Sequence, residues 1–162
     1  MVANRAIKAR AKATPDRIQE NIANAKVIKG GAVHDNQMIH IAEAETLSVA
    51  DLPQGSMSVP LSLWLASKLE LQQRPEPVAV QIAVDEFPEQ LADDLSEIDC
   101  VVLPTVNFVD GRAYSHAYKL RTQFNFKGEI RAVGDVHFDH LNFLARCGCD
   151  AFELPDGDDH QA

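Results

Sequence analysis

Short apolar runs alternate with amphipathic segments along most of this chain. Residues 78–84 and 100–106 are compact and rich in β-branched side chains, a pattern that predicts strands buried on both faces. Residues 27–31 and 37–41 read as two short strands around a His-Asp-Asn turn, a small hairpin. Pro53 and Gly55 mark residues 46–58 as a loop. Ser58 then caps a helix reaching about residue 71, with Pro60 in its first turn, Leu61, Trp64, Leu65 and Leu69 on its buried face, and Pro75 and Pro77 beyond its end. Residues 87–98 predict an amphipathic helix with Leu91, Leu95 and Ile98 inward and Glu89, Asp93, Asp94 and Glu97 outward. Ser115 is the candidate cap of a helix to about residue 124, and Gly128 turns the chain into a strand over 130–133. Residues 139–147 form a further helix with Gly148 as its C-terminal cap, and residues 151–154 a last strand.

Four short strands separated by helices of about ten residues imply right-handed βαβ units. The expected fold class is therefore α/β: a mainly parallel sheet of about four βα units, preceded by the short hairpin. An open flavodoxin-like sheet and a half-barrel both satisfy this pattern. In either, the C-terminal ends of the strands carry the chemistry.

Length fits one core, with residues 25–155 as a single α/β domain between a basic N-terminal tail or helix (1–24) and an acidic, disordered tail (156–162). The net charge of −9 argues against nucleic acid as a partner, because phosphate contacts need clustered Lys and Arg. Residues 1–29 hold seven Lys/Arg against two Asp/Glu, a start that reads most simply as solvated. No run is apolar enough to span a membrane, and a reducing cytoplasm suits three cysteines that make no disulfide framework. Cys100 reads as a small buried hydrophobe, and Cys147-Gly-Cys149 matches no zinc or thioredoxin-like spacing.

The candidate chemistry collects at two strand exits. In the first, Asp110 and Gly111 form a turn, and Arg112 stands just before a helix start, where free N–H groups and the macrodipole favour an anion. Arg112, the Ser115 hydroxyl and the first amides of that helix make a coherent oxyanion site; the alternative is that Arg112 pairs with Asp110 or Asp135 and locks the loop. Arg121 lies six residues further on, where it complements the helix dipole. Arg131 falls inside a covered strand, so its guanidinium needs a partner among Glu129, Glu153 and Asp135. At the second exit, Gly134-Asp135-Val-His137-Phe-Asp139-His140 has the density of carboxylate and imidazole that acid–base work uses. Its spacing fits no metal signature, so no metal is expected, and Asp135 equally suits helix capping. His34, His40 and His116 read as surface residues. The chain has no phosphate loop, dinucleotide turn or nucleophile elbow, so it identifies no cofactor and leaves open whether it is an enzyme.

At these residues the chain resembles the bacterial domain-of-unknown-function 934 family. The likeness is carried by Asp110-Gly-Arg-x-Tyr114-Ser115, Leu120-Arg121, Gly128-Glu-Ile-Arg-Ala-Val-Gly-Asp-Val136, Asp139 and Arg146-Cys-Gly-x-Asp-Ala-Phe-Glu-Leu154. His140 stands where Gln is usual in that pattern and Cys149 where Phe is usual. The resemblance implies a cytoplasmic protein of sulfur metabolism, from a family found beside genes of assimilatory sulfite reduction and commonly labelled oxidoreductases. It also implies a shared surface of Asp110, Gly111, Arg112, Tyr114, Ser115, Arg121, Glu129, Arg131, Gly134, Asp135 and Asp139. The expectation drawn is an accessory protein of sulfite reduction. Its anion-binding edge is built from Arg112, Ser115 and Arg131, and supported by Asp110, Gly111, Tyr114, Arg121, Glu129 and Gly134. Sulfite reductase, another sulfur-assimilation enzyme or a small oxyanion is the partner. The alternative is a small stand-alone enzyme with Asp135 or Asp139 as acid–base on an anionic substrate.

Overall fold

The computed structural model describes residues 26–42, 48–105, 111–134 and 136–154. Strands β1 (Lys26–Lys29) and β2 (Ala32–Asp35) form a hairpin, followed by β3 (Ile39–His40) and β4 (Met57–Pro60). Helix α1 (Leu61–Gln72), β5 (Val78–Gln81), β6 (Cys100–Thr105), α2 (Arg112–Thr122), β7 (Glu129–Gly134), α3 (Leu141–Cys147) and β8 (Ala151–Leu154) complete the order. All eight strands join one sheet in the order β2-β1-β8-β7-β6-β5-β4-β3. Strands β3 to β8 are parallel neighbours in sequence order, while β1 pairs antiparallel with both β2 and β8.

This order decides between the two expected architectures. A flavodoxin-like sheet reverses its strand order at a switch point; here the parallel strands never reverse, which is the half-barrel arrangement. The curl follows from chain length. The sheet's two edges, β2 and β3, are joined only by Asn36, Gln37 and Met38. Four Cα–Cα steps reach at most about 14 Å, whereas a flat eight-stranded sheet sets its edges about 33 Å apart. The sheet must therefore bend until its edges approach.

Curling gives each strand two different faces. Val59, Val80, Val101, Leu103, Ile130, Ala132, Phe152 and Leu154 point to the convex side and join the main core with Leu61, Trp64, Ala117, Leu120 and Leu144 of the helices. The concave side carries a smaller cluster of Ala79, Cys100 and Val102, with Met38 and Val133 against it. Both faces of β5 and β6 are thus buried, as their unbroken apolar runs require.

Several elements differ from the sequence expectation. The hairpin turns at Gly30-Gly31, both at positive φ, so its second strand is β2; the stretch expected in that role supplies β3 at the far edge of the sheet. Ser58 lies within β4, and the cap of α1 is Pro60. Non-helical Ser67 breaks the phase of α1, so Leu63, Trp64 and Leu71 are buried while Leu65 and Leu69 are exposed. Residues 87–98 form two short 3₁₀ turns, Pro88–Leu91 and Leu95–Glu97. Leu91, Leu95 and Ile98 do face inward, but so does Asp94, which accepts hydrogen bonds from Trp64 Nε1 (3.1 Å) and Lys68 Nζ (2.9 Å). Gly148 caps α3 in the left-handed region at φ 119°, as expected. The tails 1–24 and 156–162 lie outside the described residues.

One close approach fixes where β7 begins. The Glu129 amide donates to Asp99 O (2.8 Å), and a Cβ on Gly128 would sit 2.5 Å from both Asp99 O and the Phe126 ring. Gly128→Ala should therefore cost about 1–3 kcal/mol, as overpacking of a rigid site does. Urea unfolding would read this as a lower midpoint at unchanged slope; an unchanged midpoint would contradict it.

Candidate functional site

Four strands place one polar residue between apolar neighbours on the concave face: Ser58 on β4, Gln81 on β5, Arg131 on β7 and Glu153 on β8. With His40, Asn36 and Glu129 they form a continuous network. Arg131, 8% exposed, donates through Nε to Glu129 Oε2 (2.9 Å) and through Nη1 to Glu153 Oε2 (3.0 Å) and Asn36 Oδ1 (3.2 Å). Asn36 Nδ2 donates to Glu153 Oε1 (3.0 Å). Lys29 pairs with the other oxygen of Glu129.

The same carboxylate reaches across the curl. His40 Nε2 lies 2.8 Å from both oxygens of Glu153, and Nδ1 lies 2.7 Å from Ser58 Oγ. Gln81 Nε2 donates to Ser58 Oγ (2.8 Å) and to Ile41 O (2.9 Å). For the neutral ring the directions are determined: the carboxylate accepts from Nε2–H, Nδ1 accepts from the serine hydroxyl, and that hydroxyl accepts from the amide. Serine, histidine and glutamate in a row suggest a nucleophile with its base. Ser58 is completely buried, however, and its oxygen already serves two partners. No substrate reaches it, and the relay is a structural weld.

Burial alone would push the Glu129 carboxyl up. The Lys29 hydrogen bond and the Arg131 guanidinium overcome that and hold it below its ordinary range. At Asp94 burial again opposes, and Lys68 with Trp64 prevails. Burial pushes the His116 imidazole down, against a smaller upward pull from the Ala83 and Val84 backbone. That ring belongs to the interior and not to the surface expected for it; its Nε2 is buried and has no hydrogen-bond partner among the described residues. His40, also expected at the surface, is half-buried at the centre of the network.

The remaining predicted residues separate into two groups. Arg121 is a clamp: Nε donates to Gly148 O (3.0 Å), and Nη1 to Phe126 O (2.7 Å) and Gly128 O (2.8 Å), while Nη2 reaches Asp150 Oδ2 (3.3 Å). It ties the end of α2 to the start of β7 and the turn before β8. Arg112 and Ser115 are exposed in the opening turns of α2, on the convex layer and away from Arg131. Gly111, not Ser115, occupies the cap position. Half-buried Tyr114 packs edge-on against Phe143 with ring centroids 4.9 Å apart. Gly134 takes φ 93° at the end of β7, and Asp139 is exposed in the 3₁₀ turn Phe138–His140. Asp110 and Asp135 lie outside the described residues. Among the described residues no group of three His, Cys, Asp or Glu could hold a metal ion.

Burial disfavours the thiolate at all three cysteines. Burial pushes Cys100 far up and Cys149 up to about 12, and it raises Cys147 as well. Sequence reasoning identified Arg131 with Glu129 and Glu153 but missed Asn36, His40, Ser58 and Gln81. The available signal was the repeated placement of a single polar residue between apolar neighbours in successive strands.

A family model described as "Bacterial protein of unknown function (DUF934)" matches residues 79–162. No curated protein and no solved structure matches the chain.

Two outcomes follow from the network. Arg131→Met removes the guanidinium that the two carboxylates share, leaving Glu129 with Lys29 and Glu153 with His40 and Asn36, and should lower unfolding free energy by about 3 kcal/mol, the low end for breaking a buried pair. Acid should act in the same direction. Glu129 has a folded pKa below its ordinary value, so its contribution is complete above about pH 4.5 and is lost as pH falls through the folded value. His116, also lowered, adds a loss beginning below about pH 6.5. Urea midpoints between pH 3 and 8 should fall on the acid side, with a shallower fall in Glu129→Gln; an identical acid limb in that variant would contradict the assignment.

Proposed function

The chain belongs to the DUF934 family, and from that premise we propose that it is an accessory protein of assimilatory sulfite reduction in the cytoplasm. The surface around Arg112 and Ser115 takes a sulfur oxyanion, or an acidic group on a partner enzyme such as sulfite reductase. The observation that carries this reading is the opening of α2. Arg112 and Ser115 are both exposed there, and the first turn holds no acidic residue. Helix N–H groups, the macrodipole and a guanidinium fork all favour an anion at such a place. Arg131 stands apart from that surface, its charge taken up by Glu129 and Glu153 on the concave face. The high thiol pKa values favour a binding role over thiolate chemistry.

The expected result is thermal stabilisation of the full chain by sulfite or sulfate. It should be worth roughly 2.7 kcal/mol at about a hundred times the dissociation constant, and be lost in a folded Arg112→Ala variant. Absence of any stabilisation, together with no co-purification of sulfite reductase, would overturn the reading.

A further inference from the structure

Helix α1 keeps two leucines in water: Leu65 is 45% exposed and Leu69 72% exposed. The residues just before them, Trp64 and Lys68, donate to the same carboxylate, Asp94, so the two leucines share the next side of α1. Gln72, one turn beyond Leu69, donates to Glu97 Oε2 (2.6 Å). The leucines therefore stand along the segment 85–99, which crosses from β5 to β6.

That segment contains seven Asp and Glu and no Lys or Arg. The other described residues carry ten Lys and Arg against eight Asp and Glu, so the negative charge of the described part is concentrated here. Asp94 is paired with Lys68 and Glu89 with Lys119. Asp85, Asp93, Glu97 and Asp99 are exposed and make no ion pair among the described residues.

The chain itself carries the complement. Residues 1–25 precede β1, and the stretch 5–17 holds five Lys and Arg against a single Asp, with Ile7 between Arg5 and Lys8. In the sheet, β1 and β5 are four strand spacings apart, about 19 Å, and the helix layer lies about 10 Å above. From Lys12 to Lys26 the chain has fourteen Cα–Cα steps, which reach up to about 46 Å. The basic stretch is long enough to arrive, and its charge and its isoleucine match leucines edged by carboxylates.

We propose that the strip formed by Leu65, Leu69, Asp93 and Glu97 is the docking site of the chain's own basic segment, residues 5–17. Ile7 covers the leucines, and Lys8 and Lys12 meet Asp93 and Glu97. The Arg112–Ser115 surface takes no part in this contact.

The test joins amines to touching carboxylates in the full chain with a zero-length carbodiimide and maps the links by mass spectrometry. Links from Lys8 or Lys12 to Asp93 or Glu97 are expected, within one chain when isotopically heavy and light copies are mixed. Trypsin gives a second readout. Its cleavage after Arg5, Lys8, Arg10 and Lys12 at low salt should be about fivefold faster in Asp93→Lys/Glu97→Lys than in wild type. Cleavage should also be faster in Leu69→Ser, and the differences should vanish near about 1 M salt. The substituted side chains are exposed, so both variants should unfold at nearly the wild-type temperature. Equal cleavage of wild type and both variants would overturn the proposal, as would an absence of the expected links. Links from Lys8 or Lys12 to Asp156, Asp158 or Asp159 in their place would assign the basic segment to the acidic C-terminal stretch and overturn it. Links only between heavy and light copies would make the occupant a second copy, with the same consequence.

Discussion

The pairing of Arg131 with two carboxylates is the interaction on which the curled sheet depends. A guanidinium that is 8% exposed is costly unless its charge is matched and its donors are used. Here Glu129 and Glu153 match the charge from the same and the adjacent strand, and Asn36 takes a further N–H. Glu153 then accepts from His40, which holds Ser58, which holds Gln81. One network thus reaches five of the six parallel strands and the link that joins the sheet's edges.

Geometry makes that cluster possible only in a bent sheet. His40 on β3 and Glu153 on β8 are five strand spacings apart along the sheet, about 24 Å if it were flat. Their side chains meet at 2.8 Å. The concave face is consequently too narrow for large apolar side chains, and it holds Ala79, Cys100 and Val102 beside the polar network. Large residues go to the convex face, where α1, α2 and α3 cover them. The interior groups are satisfied by one another, and the binding surface proposed above lies outside them, at the opening of α2.

Much of this was legible in the chain. The runs at 78–84 and 100–106, the turn at Gly128 and the cap at Gly148 each have a local cause, and each produced its element. Arg131 in a covered strand demanded carboxylates, and Glu129 and Glu153 supplied them. What escaped is non-local. Strand β3 has two residues and β4 ends on Pro60, so neither offers a period to read; both exist because neighbouring strands complete their hydrogen bonds. His40 and Asn36 look like surface residues beside a turn until the curl brings them against Glu153. In α1, Ser67 breaks a helical phase that the leucine spacing alone predicts to be continuous. The choice between an open sheet and a half-barrel turned on the strand order and on the three-residue link between edges, which no single element reveals.

The most direct test is a double-mutant cycle on His40→Ala and Glu153→Ala, read by urea unfolding. In a curled sheet the two side chains touch, so their effects should be non-additive by roughly 0.5–3 kcal/mol. Additivity within about 0.5 kcal/mol, the behaviour of sites more than about 10 Å apart, would mean that β3 and β8 do not meet and would contradict the account.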